Sequence, residues 1–216
     1  MEHKINNKFI QALMNSKVQM EVEPIENQIL YVKPDDDYDF HTYRLLLLIN
    51  VCGLVVESVS TTPLLYGRSK FAFYDFLIRY PFYLEKVINN SKKKKLSDKL
   101  NLNDYEKVDA FSPMINYLRG PWDPRYDSIF NYMVSKNLIQ IKYTKITPSG
   151  DKQFCIILTD LGMEISNEVH EIEGKWVHRM EIINEIFPKK STNARIDKYI
   201  AEFFPELILG GGNDVY

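Results

Sequence analysis

Hydrophobic positions along this chain follow two periods, and the switch between them is sharpest at residues 119–169. Tyr126, Ile129, Phe130, Met133, Val134 and Leu138 recur at helical spacing and form one apolar stripe, predicting a helix over 124–137. Asp123 stands where a carboxylate caps free amides, and Pro124 takes the first helical position, where a missing N–H costs nothing. Residues 140–146 and 152–158 are β-rich runs joined by Thr147-Pro148-Ser149-Gly150-Asp151, a sequence with turn chemistry. Thr159 then caps a further helix carrying Leu161, Ile165, Val169 and Ile172. Helix, hairpin and helix in this order predict a winged helix, a module that holds DNA or a protein partner.

Upstream, residues 40–52 are apolar on nearly every face through Leu45-Leu46-Leu47-Leu48-Ile49, which predicts a central, enclosed helix ended by Gly53. Asp39 is placed to cap it. Residues 58–63, ending in Pro63, read as a loop, and Ser69 as the cap of a helix over 70–80 that Pro81 stops. Ala72, Phe73, Phe76, Leu77 and Tyr80 face inward on that helix, leaving Asp75 and Arg79 to pair one turn apart on its other side. A short helix is expected at 82–88. Residues 89–103, centred on Lys92-Lys93-Lys94-Lys95, read as a mobile basic loop.

The organisation expected is an N-terminal arm (1–39), a winged-helix core (40–172) and a C-terminal helical pair (176–187 and 193–204) with a flexible tail, within 173–216. Within the arm, Phe9, Ile10, Leu13 and Met14 hint at a short helix and 29–32 at a strand. The fold class is mainly α with a small β-hairpin wing (α+β). With 216 residues and 45% hydrophobic content the chain can bury a substantial core. The apolar run at 45–49 is too short to span a bilayer and no basic segment leads an apolar one, so a soluble cytoplasmic protein is expected. A net charge of -2 limits any DNA contact to a local patch or to one shared with a partner.

Candidate chemistry is sparse. Cys52 and Cys155 read as small core residues. His3, His41, His170 and His178 are dispersed, and no serine or cysteine sits in an elbow. Gly67-Arg68-Ser69-Lys70 is a faint phosphate-loop candidate without the required spacing, so neither an enzyme nor any cofactor or metal is expected. The densest constellation is Arg119 to Tyr126. There Gly120 permits a turn and Trp122 anchors it, while Arg119 and Arg125 offer exposed guanidinium groups to phosphates or to a partner's carboxylates. Lys142, Lys145 and Lys152 lie on the wing, either as a solvated face or as DNA contacts, and Tyr132 suits a protein interface.

Three segments, KFAFYDFLIRYP at 70–81, RGPWDPRY at 119–126 and LTDLG at 158–162, follow a leucine-rich helix. Together they resemble the middle component of ABC-type three-component systems, the small subunit of Lamassu-type anti-phage defence operons. The resemblance covers about residues 40–169. It implies a non-enzymatic subunit bridging an SMC-like ATPase and an effector nuclease, similar to the winged-helix accessory subunits of condensins. Double-stranded DNA would be sensed through the assembled complex, leading to plasmid or phage elimination or to host-cell suicide. The rival expectation is a free-standing winged-helix transcriptional regulator, which would need a basic recognition helix.

Overall fold

The computed structural model describes residues 37–107, 115–117 and 120–208. The expected features at 9–14 and 29–32, residue Arg119 and the glycine tail lie outside them. Helix α1 (Tyr38–Cys52) is started by Asp37, whose carboxylate accepts from the amides of Asp39 at 2.9 Å and Phe40 at 3.4 Å. The cap assigned to Asp39 therefore belongs to Asp37. After Gly53 come strands β1 (Leu54–Val56) and β2 (Ser60–Tyr66), correcting the loop expected at 58–63. Ser, Thr and Pro read as turn chemistry, but the regular ladder of β2 involves Leu64, Leu65 and Tyr66, and its register with β1 shifts before them. Pro63 thus sits where no ladder N–H is required.

Gly67, at φ +88°, turns the chain into helix α2 (Arg68–Arg79). Its first turn is not capped by Ser69. Instead Asn193, far along the chain, accepts from the Lys70 amide at 3.1 Å. Residues Lys70 through Ile78 are all buried, so α2 is enclosed on every side rather than on one face. Helix α3 (Pro81–Asn90) opens on its proline. Of the loop expected at 89–103, residues 91–95 form bends and turns as a connection, whereas Leu96–Leu100 form helix α4, anchored by buried Leu96 and Leu100 and followed by a 3-10 turn at Asp104–Glu106.

Strands β3 (Ile115–Tyr117) and β4 (Gly120–Trp122) form a separate hairpin. Trp122 is thus the end of a strand, and the following helix α5 (Tyr126–Ser135) starts two residues later than predicted, after a turn through Pro124 and Arg125. Its stripe of Tyr126, Ile129, Phe130 and Met133 is buried, whereas Val134 points outward. Strands β5 (Ile139–Lys145) and β6 (Lys152–Leu158) pair antiparallel as expected. Helices α6 (Asp160–Ile172), α7 (Gly174–Ile186) and α8 (Asn193–Phe203) complete the chain, with a last 3-10 turn at Pro205–Leu207.

The fold is mixed α+β, with eight helices and an antiparallel sheet in the order β1-β2-β6-β5 among the described residues. Helix α1 lies at the centre, against β2, α5, α6 and α7, and its four consecutive leucines have no exposed surface. Each contributes about 1.5–3 kcal/mol by leaving water. Cys52 and Cys155 are both free and buried, and burial pushes the Cys52 thiol up to about 12. Among the described residues no helix is long and apolar enough to cross a membrane.

The LTDLG segment acquires a physical meaning here. The Thr159 hydroxyl accepts from the Gly162 amide at 3.0 Å and donates to the Asn137 carbonyl at 2.6 Å, drawing the start of α6 onto the end of α5. A Cβ at Gly162 would collide with the Leu138 carbonyl. Gly162→Ala is therefore expected to destabilise by about 1–3 kcal/mol through overpacking against backbone. An open helical site would instead gain about 1 kcal/mol from the same change. Urea denaturation decides between them, and a raised midpoint would refute the close approach.

Candidate functional site

The leucine-rich helix and two of the motifs meet in one buried cluster of charges. Asp75, on α2, accepts from Arg44 Nε at 2.7 Å, from Arg44 Nη2 at 3.3 Å and from the Tyr126 hydroxyl at 2.8 Å. All three side chains are at most 2% exposed. Arg44 also reaches His41 Nδ1 at 3.1 Å, and because a guanidinium only donates, that nitrogen accepts. One turn along α2, Arg79 Nη1 donates to Asp123 at 2.7 Å. The expected surface pair of Asp75 and Arg79 is thus replaced by two buried pairs with partners on other elements.

Asp123 is also held by Arg125, through Nε at 2.9 Å, Nη2 at 2.7 Å and the backbone amide at 2.9 Å. Burial alone would raise its carboxyl, but these bonds and that from Arg79 outweigh it and hold it below the usual aspartate range. Asp75 behaves likewise: burial opposes ionisation, and the charge and hydrogen bonds of Arg44, with help from Arg79 and Tyr126, reverse the balance. Tyr126 is driven the other way, upward, first by burial and then by the Asp75 charge. These groups are committed to each other, which makes them the frame that sets α1, α2, β4 and α5 in place.

This placement corrects the expectation for Arg125 and gives Tyr132 a role within the chain. Arg125 is not an open guanidinium but a half-buried one clamped on Asp123. Tyr132 is half-buried, donates to Asp39 at 2.6 Å and packs on Tyr38 with ring centres 5.6 Å apart, so it ties α5 to the start of α1. Lys142, Lys145 and Lys152 are exposed on the β5–β6 hairpin, with Lys145 directly opposite Lys152. Like charges so placed repel unless an anion lies between or beyond them. Lys92, Lys94 and Lys95 are exposed between α3 and α4, while the Lys93 ammonium donates to the Glu185 carbonyl.

Two features are assembled only by the fold. One is an apolar strip in which exposed Phe40, Tyr43 and Ile172 flank half-buried Trp176; Ile172, expected in the stripe of its helix, is 79% exposed, and Leu161 also faces outward. The other is an open cleft of about 410 Å³ bordered by Arg68, Trp122, Asp127, Tyr143, Lys152 and Phe154. Gly67-Arg68-Ser69-Lys70 lies at its edge, but Lys70 turns inward, donating to the Lys189 carbonyl at 2.7 Å beneath the Tyr66 ring. Burial lowers that ammonium to about 8. Among the described residues no cluster of three histidine, cysteine or acidic side chains could hold a metal.

Asp75→Asn would strand the Arg44 charge in the core and is expected to cost about 3–5 kcal/mol at neutral pH by chemical denaturation. The double change Arg44→Met with Asp75→Leu should cost less than Asp75→Asn, since no lone charge remains. Because folded Asp75 and Asp123 titrate below the roughly 3.9 of a free aspartate, their stabilisation is complete above that pH and drains as pH falls through the depressed values. Asp75→Asn should flatten part of this acid slope. A variant as stable as the parent protein, with an unchanged slope, would remove the cluster from its central place.

No curated protein and no solved structure matches the chain. The family model described as ABC-three component (ABC-3C) system Middle Component 4 matches residues 58–195. That span runs from the turn before β2 into α8 and holds Asp75, Arg79, Asp123, Arg125 and Tyr126. More than half of the chain lies within it, and the protein belongs to the ABC-three component system Middle Component 4 family.

Proposed function

We propose that this protein is a non-catalytic accessory subunit of a defence complex, bridging an SMC-like ATPase and an effector nuclease in the manner of Lamassu-type systems. DNA contact is shared across the assembly. The observation that carries the reading is family membership, since a middle component works among other components. The order of elements supports a winged-helix core: α1, β2, α2, α5, β5 and β6 follow one another as helix, strand, helix, helix, strand, strand. In the sheet β2 lies beside β6, and β6 beside β5, as that topology requires. Residues 81–125 are then an insertion between its second and third helices. The buried aspartates are spent on arginines, which leaves structure rather than catalysis as their role.

Within this reading the β5–β6 hairpin is the wing. Lys142, Lys145 and Lys152 meet DNA phosphates there, and Lys92, Lys94 and Lys95 form a second basic patch. The strip of Phe40, Tyr43, Ile172 and Trp176 suits a subunit contact. The outward face of α5 carries Asp127, Ser128, Asn131 and Val134, an acidic and neutral set poorly matched to reading base edges. A free-standing regulator is therefore the weaker reading.

Co-expression with the products of the neighbouring genes should yield a complex that co-elutes in size-exclusion chromatography. Changing Lys142, Lys145 and Lys152 together to Glu should leave that complex assembled while lowering its DNA affinity at least about tenfold. The slope of log affinity on log salt should fall by about 2–3. A chain that elutes alone while binding a promoter as a symmetric dimer would overturn the assembly reading in favour of the regulator.

A further inference from the structure

The cleft bordered by Arg68, Trp122, Asp127, Tyr143, Lys152 and Phe154 shares Lys152 with the wing surface of the assembly reading and adds Arg68 and aromatic surface that the reading does not use. The Arg68 guanidinium carbon lies 5.3 Å from the centre of the Trp122 ring and 5.1 Å from that of Phe154. Two aromatic faces thus hold an exposed cation at the mouth of the cleft. Lys152 approaches from β6, and Tyr143, 70% exposed, stands on the neighbouring strand. Among the described residues neither Arg68 nor Lys152 is paired with a carboxylate. Their donors are available to a ligand.

We propose that this cleft binds a nucleotide, with the phosphate on Arg68 and Lys152 and the base against the exposed ring of Tyr143. The volume of about 410 Å³ falls within the roughly 300–1,000 Å³ of small-molecule sites. A simple inorganic anion fits less well. Asp127 would repel it, whereas a nucleotide offers hydroxyl and amino donors that a carboxylate accepts. An acidic peptide would use the cations and leave the ring idle. Cation and aromatic surface side by side are what a phosphate joined to a flat base requires. The nucleotide is either free or one unit of a nucleic-acid strand, since both present the same chemistry.

Isothermal titration of the isolated full chain tests this without any partner, so its failure leaves the assembly reading standing. The probes are adenosine monophosphate, a 5′-phosphorylated thymidine oligonucleotide, inorganic phosphate and a polyglutamate peptide, at one ionic strength. Saturable binding of the nucleotide or the oligonucleotide is expected, with inorganic phosphate and polyglutamate at least about tenfold weaker. A tighter oligonucleotide identifies a strand as the source, and equal affinity identifies the free nucleotide. Arg68→Ala should lose about tenfold, and Arg68→Lys should recover part of the loss by restoring charge without the planar fork. Arg68 is exposed at the first position of its helix, so circular dichroism should be unchanged in both variants. Absence of saturable binding by both nucleic-acid probes, equal binding of phosphate or polyglutamate, or a folded Arg68→Ala protein of unaltered affinity would overturn the proposal.

Discussion

The charge of Arg44, buried beside the apolar core, is the constraint on which the arrangement of helices depends. A lone guanidinium there would cost several kcal/mol, so every partner within reach is conscripted. Asp75 answers it from α2, Tyr126 completes Asp75 from α5, and His41 accepts the remaining edge from within α1. Three helices from distant parts of the sequence are thereby fixed in rotation as well as in distance, since hydrogen bonds are directional where apolar packing is not. Asp123 repeats the arrangement at the foot of α5, where Arg79 and Arg125 converge on one carboxylate. The aromatic side chains fill in around this frame, with Phe71 5.0 Å from Tyr126 and Phe130 stacked on Tyr126 at 5.8 Å.

Local periodicity made much of this fold legible. The β5–β6 hairpin, the Thr159 cap, the buried leucine helix and the C-terminal helical pair all follow from spacing and turn chemistry. What spacing could not convey was enclosure. Helix α2 carries its apolar residues on an amphipathic pattern, yet Lys70 and Asp75 on its polar side are buried because other elements bring them partners, and Tyr74 because Phe187 stacks on its ring. Strand β2 was hidden by Ser60, Thr61, Thr62 and Pro63, whose turn preference is local, while the long-range pairing that makes the strand rests on Leu64, Leu65 and Tyr66 after them. Leu96 and Leu100 were likewise too few to declare a helix until a core existed to receive them.

The site was legible in part for the same reason. RGPWDPRY stood out as dense, and its residues do converge, but a sequence does not reveal whether an arginine faces solvent or a carboxylate. Arg125 proved committed inward, while Arg68, in a segment set aside for its wrong spacing, proved open. The lysines of the hairpin are exposed because β5 is the edge strand and stands in water on both faces beyond Ile139, so Lys142 and Lys145 are solvated although they point to opposite sides.

Three contacts near the start of α2 come from residues more than one hundred positions later in the chain. Asn193 accepts from the Lys70 amide, the Lys189 carbonyl accepts from the Lys70 ammonium, and the Lys190 carbonyl from the Tyr66 hydroxyl. During synthesis, at about 5–20 residues per second, the ribosome delivers α2 many seconds before its clasp exists. The nascent core must wait with a buried lysine unsatisfied and a helix end unfastened. Completion of folding is thereby tied to emergence of the C-terminal helices, and a chain cut short before residue 189 lacks the means to close its own centre.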